Sequence, residues 1–225
     1  VQEVKSIGGD FVYFVDISQL SPSQNQGYPK AILIMNPLSA TYIKKVTNTL
    51  DYRKMIIENN QIEQDEFHQK ETNTDKVADS IAKLLTQKGY AAHSQSEESI
   101  LAAGLFDEQN RTTLLPHKTI AGMAGLGFIG KHDLLITKEF GSAISMCSVL
   151  TDAPLPTAHV DLPPNACGSC TVCQEICPTD AIKGNCWSKG IPRDELVDVH
   201  ICITCLKCLV HCPWTQNYMR KKLGD

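Results

Sequence analysis

The chain carries CGSCTVCQEICP at residues 167–178 and CITCLKCLVHCP at residues 202–213. Each copy spaces three cysteines as C-x-x-C-x-x-C and adds a fourth four positions later, directly before a proline. The first copy contributes Cys167, Cys170, Cys173 and Cys177, and the second contributes Cys202, Cys205, Cys208 and Cys212. A C-x-x-C step lets one tight turn present two thiolates to the same metal centre. Two such steps present three thiolates to three corners of a cubane, and the fourth cysteine heads a short helix that points away. Pro178 and Pro213 fix the turn after the fourth ligand by removing its N–H donor. A pair of four-thiolate zinc sites is the alternative. It would use the C-x-x-C pairs but needs neither the third cysteine of each run nor the trailing Cys-Pro.

Over residues 167–213 the sequence resembles the bacterial two-cluster ferredoxin module. In that module the fourth cysteine of each run ligates the other cluster. The resemblance assigns Cys167, Cys170, Cys173 and Cys212 to one 4Fe–4S cluster, and Cys202, Cys205, Cys208 and Cys177 to a second.

Nine of the ten cysteines lie within residues 167–212 and eight of them form the motif, leaving only Cys147 and Cys186 outside it. The N-terminal VQEVKSIGGDFVYFVD shows no basic stretch followed by a long apolar run, so no export signal is expected. Dense cysteines with metal spacing and no export signal point to metal in a reducing, cytoplasmic setting rather than to disulfides. The 225 residues allow one large domain or a medium one with a small one. A hydrophobic fraction of 42%, just below the usual ~45–50%, supports a packed core. No run approaches the ~18 apolar residues of a membrane span, so no membrane partner is expected. The net charge is -4 with no basic stripe, which makes nucleic acid an unlikely partner.

FVYFVD (11–16) and KAILIMN (30–36) read as strands, the second buried on both faces because it is almost continuously apolar. A helix is expected from about Ser39, with Ile43, Val46, Leu50, Ile57 and Ile62 near helical spacing. A second is expected to be capped at Thr74 or Asp75 and to stop at Lys88-Gly89. Tyr90 to His93 suggests a strand, and SAISMCSVLTD (142–152) another. Prolines 154, 156, 163 and 164 mark a linker over residues 153–164. The expected domains are residues 1–160 and residues 161–225.

Within the first of these, the segment LPHKTIAGMAGLGFIGKHDLLI (115–136) is rich in glycine. Gly125, Gly127 and Gly130 spell G-x-G-x-x-G, but a helical pattern precedes them where a dinucleotide fold needs a strand. Gly125 to Lys131 also spells G-x-x-x-x-G-K, followed by His132 instead of the Ser or Thr that would hold Mg²⁺. The glycines either let a turn pack closely or let the backbone approach a flat ligand.

HKTIAGMAGLGFIGKHDLLIT, then EFGSAISMCSVLTDAPL, then the cysteine repeat, resembles the core of epoxyqueuosine reductases, a family similar in layout to reductive dehalogenases. The resemblance is strongest from residue 115 onwards. It implies an α+β protein in which an N-terminal α/β sandwich, akin to cobalamin-processing and nitroreductase-like folds, precedes the two-cluster ferredoxin-like module. It further implies that residues 1–160 bind a corrinoid or a substrate, and that the clusters pass electrons to the cobalt.

Two departures are visible. The aspartate that the family places about thirteen residues before the AGLG stretch is absent; Arg111 stands near that place. The C-terminal helical domain that grips tRNA is not found before Asp225. A short relative, acting on something other than epoxyqueuosine in tRNA, is therefore expected.

The catalytic residues are not named by the sequence; His117, as a proton donor, and Arg111, as an anion clamp, are the candidates. His117, Lys118, Gly125, Gly127, Gly130 and Lys131 are the candidate cofactor-binding residues, with the lysines meeting the polar rim of a corrinoid. Cys147 is expected to be a small core residue and Cys186 to pack near a cluster. The expected partners are an electron donor of ferredoxin or flavodoxin type and a small-molecule or corrinoid ligand. The expected function is an iron–sulfur oxidoreductase delivering single electrons to a corrinoid or other tetrapyrrole-like acceptor. The alternative is an electron-transfer protein that reduces a partner protein.

Overall fold

The computed structural model describes residues 1–8, 11–157, 160 and 163–224. Of the linker expected over 153–164, residues 158, 159, 161 and 162 lie outside the described residues. The chain is a mixed helix and sheet protein. In order, its elements are α1 (Gln2–Gly8), β1 (Val12–Asp16), α2 (Pro22–Asn25), β2 (Lys30–Pro37), α3 (Ala40–Asn48), α4 (Tyr52–Glu58), α5 (Glu66–Gln87), β3 (Ala92–Ser94), α6 (Glu97–Ala102), β4 (Phe106–Asp107) and β5 (Thr112–Thr113). There follow α7 (His117–Met123), β6 (Gly127–Ile129), β7 (Leu135–Thr137), β8 (Ile144–Thr151), α8 (Val172–Glu175), α9 (Lys207–His211) and α10 (Pro213–Leu223).

These elements form two compact units. One comprises Val1–Asn36, Lys70–Gly125 and Ser145–Leu162; the other comprises Pro37–Gln69, Leu126–Ile144 and Pro163–Asp225. The cysteine repeat thus shares a unit with two earlier stretches of the chain.

The first unit is built on a sheet of order β1-β2-β8-β3. β1 pairs antiparallel with β2, Val12 opposite Ile34, and β3 pairs antiparallel with β8, Ala92 opposite Thr151. Residues 31–35 of β2 are all buried, as a continuous apolar run requires. Ile32 and Ile34 pack with Cys147 and Val149 of β8 and with Ala78, Ile81 and Leu85 of α5. Fully burying side chains of this size contributes about 1.5–3 kcal/mol each. Cys147 is completely buried, the small core residue its position suggests.

In the second unit, Ser39 caps α3 by accepting the Tyr42 N–H at 3.1 Å. The helix expected from Ser39 does not continue to Ile62. Asp51 adopts a left-handed φ of 48°, which separates α3 from α4. The cap expected at Thr74 or Asp75 is also absent, because α5 already begins at Glu66. Thr74 lies inside the helix, where its hydroxyl donates to the Lys70 carbonyl at 2.6 Å. A threonine that satisfies itself on the carbonyl four residues back is tolerated in a helix interior. β6 and β7 form a hairpin, and α10 packs against α3 and α9.

Candidate iron–sulfur centre

The first cysteine run enters through a tight turn. The Cys170 N–H donates to the Cys167 carbonyl at 3.0 Å, and Gly168 supplies the left-handed φ of 51°. One turn of helix, α8, then carries Cys173. Cys212 arrives from the other run, at the junction of α9 and α10. Pro213 opens α10, where an N–H would have no helical partner. The next two N–H groups, of Trp214 and Thr215, donate to the Cys212 sulfur. Cys167, Cys170, Cys173 and Cys212 line one cavity of about 220 Å³, together with Lys131 and His132. Phe128 and Trp214 meet edge to face beside it, ring centres 5.7 Å apart, packed with Ile136 and Cys212.

The complementary set is Cys177, Cys202, Cys205 and Cys208. Their charges act on one another: Cys208 feels Cys205, Cys202, Cys173 and Cys177, and Cys205 feels Cys177 and Cys202. Burial pushes the Cys177 thiol up, but the N–H groups of Thr179, Ala181 and Ile182 and the Thr179 hydroxyl outweigh it and leave it below the ordinary range. Trp187, Ile191, Cys177 and Cys208 pack, partly buried, against a core of Cys173, Ala181, Ile182, Leu196 and Val197. Cys202 is exposed, as are its neighbours Ile201 and Ile203.

The donor chemistry is that of a cation site. Burial, followed by the charges of the neighbouring cysteines, pushes Cys173 up to about 11 and Cys208 up to about 12. Four such thiols cannot ionise together unless positive charge is placed among them. The first set surrounds a volume instead of converging on a point. Among the described residues, no three His, Cys, Asp or Glu side chains are gathered closely enough for a single ion. This donor set and this space fit a four-iron cubane, which Cys167, Cys170, Cys173 and Cys212 can hold. Cys177, Cys202, Cys205 and Cys208 lie close enough for their charges to act on one another.

The other candidate residues lie as follows. His117 opens α7, and its Nδ1 is 2.9 Å from the Ser148 hydroxyl. Ser148 donates in turn to Gln95 Oε1, and Gln95 donates to the Leu115 carbonyl. With its hydroxyl proton committed to Gln95, Ser148 accepts from His117, which fixes the neutral tautomer with the proton on Nδ1. Burial, opposed by Asp75, pushes His117 down to about 4. At neutral pH it is an uncharged imidazole with Nε2 as acceptor. Arg111 is exposed, with a left-handed φ of 48°, between β4 and β5. Lys118 lies on α7, partly buried.

The glycines are occupied by the chain itself. A Cβ on Gly127 would stand 2.1 Å from the Ile136 carbonyl oxygen, and one on Gly130 would stand 2.6 Å from Ile136 Cδ1. One on Gly125 would stand 2.3 Å from Val160 Cγ1. Lys131 and His132 are buried. The Lys131 ammonium donates to the Cys170 carbonyl at 3.0 Å. The His132 Nδ1 accepts the Leu134 N–H at 3.2 Å, and its Nε2 is 3.2 Å from the Ser142 hydroxyl. Gly125, Gly127, Gly130, Lys131 and His132 are thus engaged by contacts within the chain.

Sequence reasoning missed Asn165. Its Oδ1 accepts the Cys167 N–H at 2.9 Å while its Nδ2 donates to the Ile129 carbonyl at 2.7 Å. An asparagine two residues before the first ligand was the available sign. It also missed the buried Asp65, which accepts the hydroxyls of Tyr42 at 2.9 Å and Tyr52 at 2.8 Å. Cys186 is exposed and near enough to Cys167 for its charge to act there.

No protein-family model matches the chain. Among curated proteins, the epoxyqueuosine reductase of Aliivibrio fischeri is 37% identical over 116 residues, covering 44% of this chain and 30% of the relative. The match therefore spans less than a third of that relative's length. Among solved structures, a reductive dehalogenase described through B12-dependent dehalogenation aligns with a TM-score of 0.68 at 17% identity, covering 98% of this chain and 33% of that one. An epoxyqueuosine reductase bound to a modified tRNA stem loop aligns with a TM-score of 0.53 at 17% identity, covering 96% of this chain and 64% of that one. The chain is thus a relative of the epoxyqueuosine reductases over the matched segment, with a fold similar to theirs and to that of the reductive dehalogenases.

Proposed function

We propose that the chain is an iron–sulfur oxidoreductase. It passes single electrons through two 4Fe–4S clusters to a corrinoid or other tetrapyrrole-like acceptor served by residues 1–160, with residues 161–225 forming the ferredoxin-like part. The interleaving of the two cysteine runs carries this proposal: Cys212 of the second run lines a cavity with Cys167, Cys170 and Cys173 of the first. The oxidoreductase chemistry agrees with the relatives, and the corrinoid class with the B12-dependent neighbour.

Clusters bound at these sets would supply one-electron carriage. The chain's own residues do the rest. Eight thiolates would hold the two clusters, and backbone N–H groups at Cys177 and Cys212 favour negative charge on those sulfurs. Phe128, Ile136 and Trp214 form one apolar cluster with Cys212 and Cys167 of the first set. The exposed Cys202 leaves the second set accessible to a one-electron donor of ferredoxin or flavodoxin type. His117, neutral and fixed by Ser148, is placed to accept a proton or to donate a lone pair at Nε2.

The test is anaerobic reconstitution with iron and sulfide, then titration with cobalamin. About eight irons with matching acid-labile sulfide are expected. Saturable corrinoid binding with new visible bands supports the oxidoreductase. Full cluster content without any corrinoid binding favours the alternative, an electron-transfer protein, for which the exposure of Cys202 between Ile201 and Ile203 speaks. Stoichiometric zinc without sulfide overturns both.

A further inference from the structure

The two cysteine sets differ in one respect that the motif does not contain. Each has a lysine beside it, but the two lysines are differently placed. Lys207 lies within the second run, and its backbone N–H and charge act on Cys205. Its ammonium is partly exposed and pairs with the Asp51 carboxylate at 2.9 Å. Lys131 comes from outside the motif, just after the β6 strand, and is only 8% exposed. It lines the cavity of the first set, donates from its ammonium to the Cys170 carbonyl, and donates from its backbone N–H to the Cys167 sulfur. Among the described residues, no carboxylate pairs with Lys131. One set therefore faces a buried, uncompensated cation, and the other a cation already neutralised by Asp51.

A reduction potential rises when positive charge or N–H donors stand near a cluster, because both favour the more negative, reduced form. The effect is greatest where the charge is buried and unscreened. Resting on the two-cluster reading above, we propose that Lys131 makes the Cys167/Cys170/Cys173/Cys212 cluster the higher-potential member of the pair and so sets the direction of electron flow. One electron supplied by a low-potential one-electron donor enters at the Cys177/Cys202/Cys205/Cys208 set, beside the exposed Cys202. It then passes to the first set: the former is oxidised by one electron as the latter is reduced by one, with no proton moved. Lys131 is a positioning and electrostatic residue in this scheme, since it touches the ligand backbone and one ligand sulfur.

The experiment is a potentiometric titration of the reconstituted full chain, followed by paramagnetic resonance, for wild type, Lys131→Gln, Lys131→Met and Lys131→Arg. A Cys212→Ser variant identifies the first set's wave by shifting or abolishing it. The backbone N–H to Cys167 survives every substitution at Lys131, so the side-chain charge alone is tested. In the Gln and Met variants the first set's wave should move to more negative potential by about tenfold in the reduction equilibrium, or about 59 mV for one electron. The other wave should stay in place, and Arg should restore the wild-type value. Equal movement of both waves, or no movement with iron content unchanged, overturns the proposal. Loss of the first cluster from both the Gln and Met variants with retention in Arg also overturns it, because Lys131 would then be a structural clamp on the Cys170 turn. Wild type without two four-iron signals is a separate outcome, which overturns the two-cluster reading and with it this proposal.

Discussion

Asn165 holds the Cys167 N–H and the Ile129 carbonyl with the two ends of one amide, at 2.9 and 2.7 Å. The start of the first cysteine run is thereby joined to strand β6, 36 positions earlier in the chain. Replacing Asn165 by Ala leaves a donor and an acceptor without partners, at a cost of about 1–3 kcal/mol for each group that water cannot reach. Asn165→Ala should lose iron to a chelator faster than wild type, and the first set's signal should decay before the second set's. Chelator-release kinetics with paramagnetic resonance check this.

Cys177 lies in the first run by sequence, but its charge acts on Cys205 and Cys208 of the second. Cys177→Ala should therefore disturb the cluster held by Cys202, Cys205 and Cys208 and spare the one beside it in the chain. Resonance spectra of the reduced variant read the outcome; loss of the Cys167/Cys170/Cys173 signal alone would contradict the interleaving.

Asp65 is buried and accepts from two tyrosines, while Arg53 stands 3.8 Å away. Asp65→Ala removes the acceptor for both hydroxyls and leaves the arginine unbalanced. The expected loss is about 1–3 kcal/mol for each buried hydroxyl left without a partner. Asp65→Asn, which keeps one acceptor oxygen, should cost less. Urea unfolding of the two variants measures the difference.

Gly127 faces the Ile136 carbonyl across the β6–β7 hairpin, with no room for a methyl group. Gly127→Ala should destabilise the chain by about 1–3 kcal/mol through forced backbone movement. Gly104→Ala is the comparison. There nothing lies within 4 Å of the new Cβ, and only the left-handed φ of 66° opposes it. A thermal unfolding pair should show the larger drop for Gly127.

His117 makes stability pH-dependent. Its folded pKa, about 4, lies below the ordinary 6.5, so on acidification the unfolded chain takes up the proton first. The stabilising contribution is complete above pH 6.5, is lost as pH falls from 6.5 to 4, and declines no further below that. His117→Gln should flatten this part of the stability curve. Denaturant unfolding at intervals across the range compares the slopes.

The cysteine chemistry was legible in the primary structure because ligand spacing is a local property. A C-x-x-C turn needs only neighbouring residues to form. The short helix expected after each Cys-Pro, by contrast, forms after Cys212 as α10 but not after Cys177, where residues 178 and 179 make a turn. The β2 strand was legible for a similar reason, since an uninterrupted apolar run can satisfy its surroundings only when buried. The start of α5 was not, because Thr74 and Asp75 carry cap chemistry that the helix interior absorbs through an i−4 hydrogen bond. The roles of Gly127, Lys131 and Asn165 were beyond reach of the residues alone. Each depends on a partner far away in the chain: Gly127 on Ile136, Lys131 on Cys167 and Cys170, Asn165 on Ile129. A glycine that admits a ligand and a glycine that admits a neighbouring strand are the same letter. A lysine in a turn looks solvated until another segment closes over it. Local spacing specified what the chain can ligate; packing between distant segments decided which lysine is buried beside which sulfurs, because only the folded backbone brings them within reach of one another.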